Sequence, residues 1–215
     1  MKHAIEQSRG GSSDWIHESA VAALGSLLAA EKKILDVGCG TGAFLERLER
    51  RGLKELHGCD GGRFDPRVER FRFQETDLNA GLAYPDSSFD IVTALEVIEH
   101  LENPRLLVRE LHRVVKPGGT VLMSTPNNEA FTSLLSLCLR GYYSAFADSC
   151  YPAHITPVLA IDGQRMLREA GFREIRLIWS DQGRMPAVGA HWQTFLGFLA
   201  RGKRFSDNFF LRAVK

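Results

Sequence analysis

Residues 34–42 read Ile34-Leu35-Asp36-Val37-Gly38-Cys39-Gly40-Thr41-Gly42, and this stretch decides the fold. The apolar residues around Asp36 predict a buried parallel strand. The glycines allow a tight turn and leave no Cβ between the backbone and a bound ligand. Residues 43–48 then predict a helix whose free N–H groups face the same gap. The stretch therefore predicts a strand, a turn and a helix that together bind a nucleotide-like ligand.

The choice of nucleotide rests on the acid within this stretch. Gly38, Gly40 and Ala43 fit the dinucleotide fingerprint, so an NAD(P)-binding reductase is one alternative, and a nucleotide-binding subunit without catalytic activity is another. Asp36 argues against a dinucleotide because its charge would repel a pyrophosphate, whereas it would attract an ammonium group. A reductase would also be expected to carry a Tyr-x-x-x-Lys pair after the fourth strand, and the sequence has none there.

Three separate segments resemble one enzyme family. The pattern Asp36, Gly38, Gly40 and Gly42 resembles motif I of the class I S-adenosylmethionine-dependent methyltransferases. Residues 89–92 with 99–101 are similar to the fourth motif of that family, and residues 114–119 to the segment before its fifth strand. The subgroup of closest similarity is typified by the ubiquinone-biosynthesis O-methyltransferases and small methyltransferases of polysaccharide clusters. The resemblance implies S-adenosyl-L-methionine as cofactor and S-adenosyl-L-homocysteine as product.

Length and composition narrow the class of protein. The 215 residues predict one domain, 1–215, with an N-terminal helical cap over 1–30 and substrate-side insertions over 126–160 and 180–206. A net charge of +1 provides no overall field for nucleic acid, so no nucleic-acid partner is expected. No stretch predicts a transmembrane segment, and the four cysteines lack C-x-x-C spacing. The sequence therefore predicts a reduced, cytoplasmic protein.

Alternating patterns predict the fold class. Strands are expected over 32–37, 55–60, 70–75, 89–95, 120–124, 172–179 and 208–214, and helices over 14–30, 43–51, 105–115, 127–140 and 161–170. This order predicts an α/β fold, a Rossmann-like doubly wound sheet of seven strands, mostly parallel, with helices on both faces. The resemblance adds that strand 7 inserts antiparallel beside strand 6.

Ligands of such sheets bind beyond the carboxyl ends of the strands, and the resemblance assigns the cofactor contacts there. Asp36 would hold the methionine amino group, and Asp60 both ribose hydroxyls. Asp77 would accept from the adenine amino group, although a turn-capping role is the alternative. The remaining cofactor-binding residues supply backbone or apolar contacts: Gly38, Cys39, Gly40, Gly42, Leu78 and Leu95.

The expected catalytic residues are His100 and His154. His100 titrates near neutrality and lies directly after the fourth strand, where a base for the methyl acceptor is needed. The spacing of Glu96, Glu99 and His100 also matches the E-x-x-E-H of some ubiquinone-biosynthesis methyltransferases, in which a divalent metal binds. The third alternative is a structural role for this segment. His17 and Trp15 are expected to close the cofactor cleft or pack in the core, and His191 is a weaker candidate.

The methyl acceptor is expected to be a small molecule, a sugar or a lipid-linked compound with an oxygen nucleophile, and a nitrogen or carbon nucleophile is the alternative. The segment 195–204 is apolar and then basic, so it either contacts a membrane surface peripherally or packs on the sheet. The sequence does not indicate an oligomeric state.

Overall fold

A seven-stranded sheet forms the centre of the molecule. The computed structural model describes residues 12–62, 65–186 and 188–215. The strands are β1 (Lys33–Val37), β2 (Glu55–Asp60), β3 (Gln74–Glu75), β4 (Phe89–Leu95), β5 (Val115–Pro126), β6 (Arg173–Trp179) and β7 (Asn208–Val214). Their spatial order is β3-β2-β1-β4-β5-β7-β6. β7 is antiparallel to both neighbours, whereas the other pairs are parallel. The Rossmann-like mixed sheet predicted from the sequence is confirmed.

The α-helices are α1 (Asp14–Leu24), α2 (Ala43–Glu49), α3 (Pro104–Val114), α4 (Phe131–Arg140), α5 (Ala160–Glu169) and α6 (Trp192–Leu196). α1 and α2 cover one face of the sheet, where Leu24 and Phe44 pack with Ile34. α3 and α5 cover the other face, where Leu111 and Leu167 pack in one core. Helices on both faces follow from alternating βα units, because each face of a buried parallel sheet is apolar.

The third strand is shorter than the sequence pattern predicts. Only Gln74–Glu75 pairs with β2, and residues 66–71 form a 3₁₀ helix instead of the start of a strand. Asp65 caps this helix by accepting the N–H of Arg67, and Pro66 occupies its first position. Val68 and Phe71 are buried. The predicted strand over 70–75 is confirmed only at 74–75, and its start was wrong because capping and burial favour the helical turn.

Two helices are also shorter than expected. α1 ends at Leu24, because Gly25 turns the backbone to φ +52° and a 3₁₀ turn, Gly25–Leu27, follows. α4 begins at Phe131 rather than 127. The side-chain amide of Asn127 donates to the carbonyl groups of Lys203 and Ser206, which connects this residue to the insertion over 180–206. The first eleven residues of the expected N-terminal cap lie outside the described residues.

Candidate active site

A cavity of about 390 Å³ opens where β1, β2 and β4 end. Its size is that of a small-molecule site. Its lining includes most of the residues predicted for a cofactor and for catalysis: Asp36, Gly38, Cys39, Asp60, Asp77, Leu78, Leu95, Glu96, Glu99, His100 and His154. These residues lie together because the carboxyl ends of parallel strands meet at one edge of the sheet.

The glycine turn is held by backbone hydrogen bonds to the end of β2. The N–H groups of Gly38 and Cys39 donate to the carbonyl oxygen of Cys59 at 2.7 and 3.1 Å. The Gly40 N–H donates to Oδ2 of Asp60 at 2.8 Å. Gly38 and Cys39 line the cavity, whereas Gly40 and Gly42 are not among its lining residues. Thr41 also lines the cavity, so the turn presents Gly38, Cys39 and Thr41 to a ligand, while Gly40 and Gly42 support its conformation.

Gly42 has a conformational role. It adopts φ +80° at the N-cap of α2, a left-handed conformation that favours glycine. A Cβ there would meet Val68 at 3.0 Å and Phe71 at 3.4 Å, both outside the cavity. The requirement for glycine at this position comes from the backbone and from packing against the 3₁₀ helix.

Asp36 is almost fully buried at the end of β1. Its Oδ1 accepts the hydroxyl of Thr93 at 2.6 Å, and the two residues are register partners in β1 and β4. Burial raises the pKa of Asp36 to about 7, and the nearby Asp60 acts in the same direction. A cation next to this carboxyl group would favour its charged form. Thr93 was not predicted; a polar residue within the apolar strand 89–95 was the available signal.

Asp60 accepts a hydrogen bond from the glycine turn and also lines the cavity. Burial raises its pKa, while hydrogen bonds from the amides of Gly40, Gly61 and Gly62 oppose that shift. The amides stabilise the charged form because a carboxylate only accepts hydrogen bonds. A carboxylate in this position is pre-oriented for hydroxyl groups of a ligand.

Asp77 caps a turn and also lines the cavity, while its contact with an adenine stays a prediction. Its Oδ1 accepts the N–H of Asn79 at 3.0 Å, which caps the turn after β3. It also lines the cavity beside the buried Leu78. Leu95, the last residue of β4, also lines the cavity. The cavity therefore combines acidic and apolar walls.

α1, its N-cap residue and the start of α2 also line the cavity. Of these lining residues, the sequence analysis named only His17 as a candidate for closing the cofactor cleft. Ile16, His17 and Phe44 line the cavity with Ser13. His17 is 5% exposed, and its Nδ1 is buried without a hydrogen-bond partner among the described residues. Burial lowers the pKa of His17 to about 4, so its ring is neutral. A buried ring nitrogen without a partner at a cavity wall fits a ligand that supplies the missing hydrogen bond.

His100 and His154 meet edge to face at the cavity wall, with ring centroids 4.8 Å apart. Nδ1 of His100 donates to the carbonyl oxygen of Ala153 at 2.8 Å, and Nδ1 of His154 to that of Ala145 at 2.6 Å. Burial lowers the pKa of both rings. Because a carbonyl accepts, each neutral ring carries its proton on Nδ1 and a lone pair on Nε2.

The side chains of Glu96 and Glu99 contact different residues although both follow β4. The Glu96 carboxylate accepts from Ser124 at 2.8 Å and from Asn208 at 2.6 Å. These hydrogen bonds hold its side chain against β5 and β7. Its backbone adopts φ +56°, a conformation that non-glycine residues seldom adopt and that occurs more often at functional sites.

The Glu99 side chain is fully buried, and Oε2 accepts from Thr125 at 3.0 Å. Oε1 has no hydrogen-bond partner among the described residues. The potential ligand atoms of Glu99, His100 and His154 lie within 4.8 Å of one another. The structure therefore assembles a cluster with His154 rather than with Glu96. Burial raises the pKa of Glu99 to about 8.

The structure does not bring His191 or Trp15 to the cavity lining. His191 pairs with Arg184 in an isolated bridge, and Trp15 packs partly against the core between α1 and the sheet. Ser149 and Cys150 line the cavity beside His154, and the sequence analysis did not identify them. Their small polar side chains in a loop carry no signal in the sequence.

The geometry agrees with the family comparisons. Residues 13–177 match the model of the methyltransferase domain family. The ubiquinone biosynthesis O-methyltransferase of Proteus mirabilis is 29% identical over 174 residues, which cover 75% of this chain and 65% of that relative. The enzyme of the same name from Pseudomonas aeruginosa is 35% identical over 127 residues, covering 53% and 50%. The chain thus matches between half and two thirds of the length of these relatives.

Solved structures agree in fold. A methyltransferase from Thermotoga maritima superimposes with a TM-score of 0.66 at 18% identity, covering 93% of this chain and 91% of its own. One from Archaeoglobus fulgidus gives 0.64 at 21% identity, covering 98% and 97%. The [4+2]-cyclase SpnF gives 0.61 at 20% identity, covering 93% and 80%. The family model covers most of the chain, and we conclude that the chain belongs to the methyltransferase domain family.

Proposed function

We propose that this enzyme methylates a hydroxyl oxygen of a small molecule, a sugar or a lipid-linked acceptor. The observation that carries the proposal is the pair of neutral histidines, His100 and His154, at the wall of the cavity. An oxygen acceptor must lose a proton, and a neutral imidazole is suited to take it near neutral pH. The ubiquinone biosynthesis O-methyltransferases among the relatives support an oxygen acceptor.

The acidic wall fits the cofactor. S-adenosylmethionine supplies a methyl group already activated by its sulfonium. In this proposal Asp36 binds the amino group, Asp60 accepts ribose hydroxyls and Asp77 accepts from the adenine. Gly38 and Cys39 leave backbone open to the ligand, and the unpartnered Nδ1 of His17 is available to it. Leu78 and Leu95 supply apolar contacts. Gly40 and Gly42 act through the conformation of the turn.

His154 is the stronger candidate for the base. Its Nδ1–H is committed to Ala145, which directs the basic Nε2 away from that carbonyl group. The Glu96 backbone and the charge of Asp60 both raise the pKa of His100 against the effect of burial, and neither of these two causes acts on the pKa of His154. We therefore assign proton removal to His154 and positioning of its ring to His100.

A metal ion at Glu99, His100 and His154 is the second candidate for activating the acceptor. The specific observation in its favour is the buried Oε1 of Glu99, which has no hydrogen-bond partner among the described residues. One carboxylate and two imidazoles form a donor set that suits a divalent cation. Such an ion would lower the pKa of an acceptor hydroxyl.

The test measures transfer of labelled methyl to pooled catechols, sugars and lipid-linked compounds. His154→Ala is expected to lower turnover by about 100-fold or more while S-adenosylhomocysteine affinity stays unchanged. His191→Ala is the matched control because this histidine lies outside the cavity lining. Chelation followed by Mg²⁺ or Zn²⁺ separates the two mechanisms, since only metal activation responds to it. Full activity of His154→Ala in chelator would contradict both.

Calorimetry with S-adenosylhomocysteine and with NADH tests the cofactor assignment apart from the acceptor. Binding of S-adenosylhomocysteine without binding of NADH is expected.

The cysteines at positions 39, 59, 138 and 150 are free, and the cytoplasmic location stays a prediction. Among the described residues, no helix combines the length and the apolar character needed to cross a bilayer.

A further inference from the structure

α4 presents its apolar side chains outward. Its buried residues are Ser133 and Ser136. Phe131, Leu135 and Leu139, spaced four residues apart on one side of the helix, are 48%, 44% and 74% exposed. Surface helices normally bury the apolar stripe and expose the polar one. The reversal indicates that this stripe has a contact outside the described chain.

A second segment, 194–199, is exposed at every position. It contains the end of α6 and a 3₁₀ turn, Gly197–Leu199, and neither element has a buried residue. Phe195, Phe198 and Leu199 are 66%, 76% and 69% exposed. Large apolar side chains seldom cluster this way on a monomer unless they form a contact surface.

The two segments adjoin each other. Phe131 of α4 lies against Trp192 and Phe205, with ring centroids 6.1 and 5.6 Å apart. The hydroxyl of Thr132 donates to the Arg184 carbonyl oxygen at 2.5 Å. We call the large exposed apolar residues of both segments the apolar face: Phe131, Leu135, Leu139, Phe195, Leu196, Phe198 and Leu199.

Within the two segments and the residues next to them the charged side chains are cations, whereas acids lie just outside at Glu129, Asp148 and Asp207. Residues 130–147 contain Arg140 and no acid, and residues 191–206 contain Arg201, Lys203 and Arg204 and no acid. All four cations are exposed. Lys203 forms an ion pair with Glu129, whereas neither Arg140 nor Arg201 has an ion-pair partner among the described residues. Apolar side chains bordered by cations match the acyl chains and anionic headgroups of a bilayer.

The loop after α4 connects the apolar face to the part of the cavity wall that contains His154. The N–H of Ser144 donates to the Ser133 hydroxyl at 3.2 Å, and the Ala145 carbonyl oxygen accepts from His154. The loop that follows α4 therefore runs from the apolar face to the cavity wall, where Ser149, Cys150 and His154 lie.

We propose that the apolar face, with Arg140, Arg201, Lys203 and Arg204 at its border, docks this enzyme on the surface of an anionic lipid bilayer. The apolar side chains enter the headgroup region, and the cations bind the lipid phosphates. The docked enzyme holds its cavity beside the bilayer, where a lipid-linked acceptor is presented. This docking does not depend on the chemistry of methyl transfer, so the two proposals can fail separately.

The test is flotation of the full chain with vesicles of phosphatidylcholine alone or with about a third phosphatidylglycerol. We expect recovery with the anionic vesicles and at least tenfold less with the neutral ones. Phe195→Ser combined with Phe198→Ser should reduce anionic recovery by at least tenfold. Both side chains are solvent-exposed, so the fold should be retained. Leu27→Ser is the matched control: it changes an exposed apolar residue, 37% exposed, that precedes β1 at the amino ends of the strands.

Three outcomes would overturn the proposal. One is equal recovery with both vesicle types, and another is unchanged recovery of the double variant. The third is a concentration-dependent dimer, measured by sedimentation, that the double variant abolishes while neither vesicle binds; the face would then contact a second copy of this chain. S-adenosylhomocysteine binding by the double variant, measured by calorimetry, should equal that of the unmodified protein.

Discussion

α3 and α4 are helices of 11 and 10 residues with opposite relations to the core. α3 buries Leu107, Val108, Leu111 and Val114 against the sheet. α4 buries two serines and exposes its apolar stripe. Both helices are amphipathic, so amphipathicity alone does not determine which stripe is buried. The comparison separates a helix that stabilises the scaffold from one that forms a contact surface.

The same contrast holds between the two sides of the cavity. The cofactor side consists of strand ends and the glycine turn, all fixed by backbone hydrogen bonds to neighbouring strands. The side with His154 is lined by residues of the 3₁₀ turn Asp148–Cys150 and of the loop after it, and these segments follow the exposed helix α4. In the proposed function, the side made of strand ends binds the cofactor and the side with His154 receives the acceptor.

The largest expected effect concerns the scaffold helix. Leu111→Ala should lower the free energy of unfolding by about 2–5 kcal/mol, because the side chain is fully buried and its removal leaves a cavity. Urea denaturation followed by circular dichroism measures the change. A loss below about 1 kcal/mol would mean that α3 does not anchor this face of the sheet.

Removal of Asp60 tests the cofactor side. Asp60→Ala should weaken S-adenosylhomocysteine binding by about 1.5–3 kcal/mol, the scale of hydrogen bonds to a charged group. The variant also loses the contact that holds the Gly40 N–H. Asp90→Ala is the control for calorimetry, since Asp90 lies near the start of β4 and pairs with Lys116. Equal affinities of the two variants would place the ribose elsewhere.

A pH titration tests the role of Asp36. Its pKa of about 7 means that the free enzyme is largely protonated at Asp36 below that pH. Only the carboxylate form binds an ammonium group, so affinity for S-adenosylhomocysteine should fall below pH 7, approaching about tenfold per pH unit. Above pH 7 this contribution is fully present.

Asp36→Asn separates this titration from that of Asp60. The variant should bind more weakly at pH 8 and lose most of the dependence between pH 6 and 8, as measured by calorimetry. A steep dependence that persists in the variant would assign it to another group.

The smallest expected effect completes the comparison of the helices. Leu139→Ala should change the free energy of unfolding by less than about 0.5 kcal/mol, because 74% of the side chain is exposed. The substitution is the same as Leu111→Ala, so their difference in urea denaturation reports burial alone. A loss comparable with that of Leu111→Ala would mean that α4 is packed in solution.

The sequence by itself determined the sheet and the cofactor side. Strand patterns, the glycine turn and acids at strand ends are local features, and parallel strands bring their carboxyl ends together in any such fold. The positions of Asp36, Asp60 and Asp77 at the cavity follow from this rule. The resemblance added the antiparallel β7, which the structure confirms.

Only the tertiary structure decided the rest. Glu96 and Glu99 are three residues apart, yet hydrogen bonds from Ser124 and Asn208 direct one away from the cluster that the other forms with His154. Residues 66–71 became a 3₁₀ helix through capping and burial. The apolar stripe of α4 is exposed because no other described element of the fold covers it. In each case the deciding contact joins residues distant in sequence or depends on burial, which local patterns do not encode.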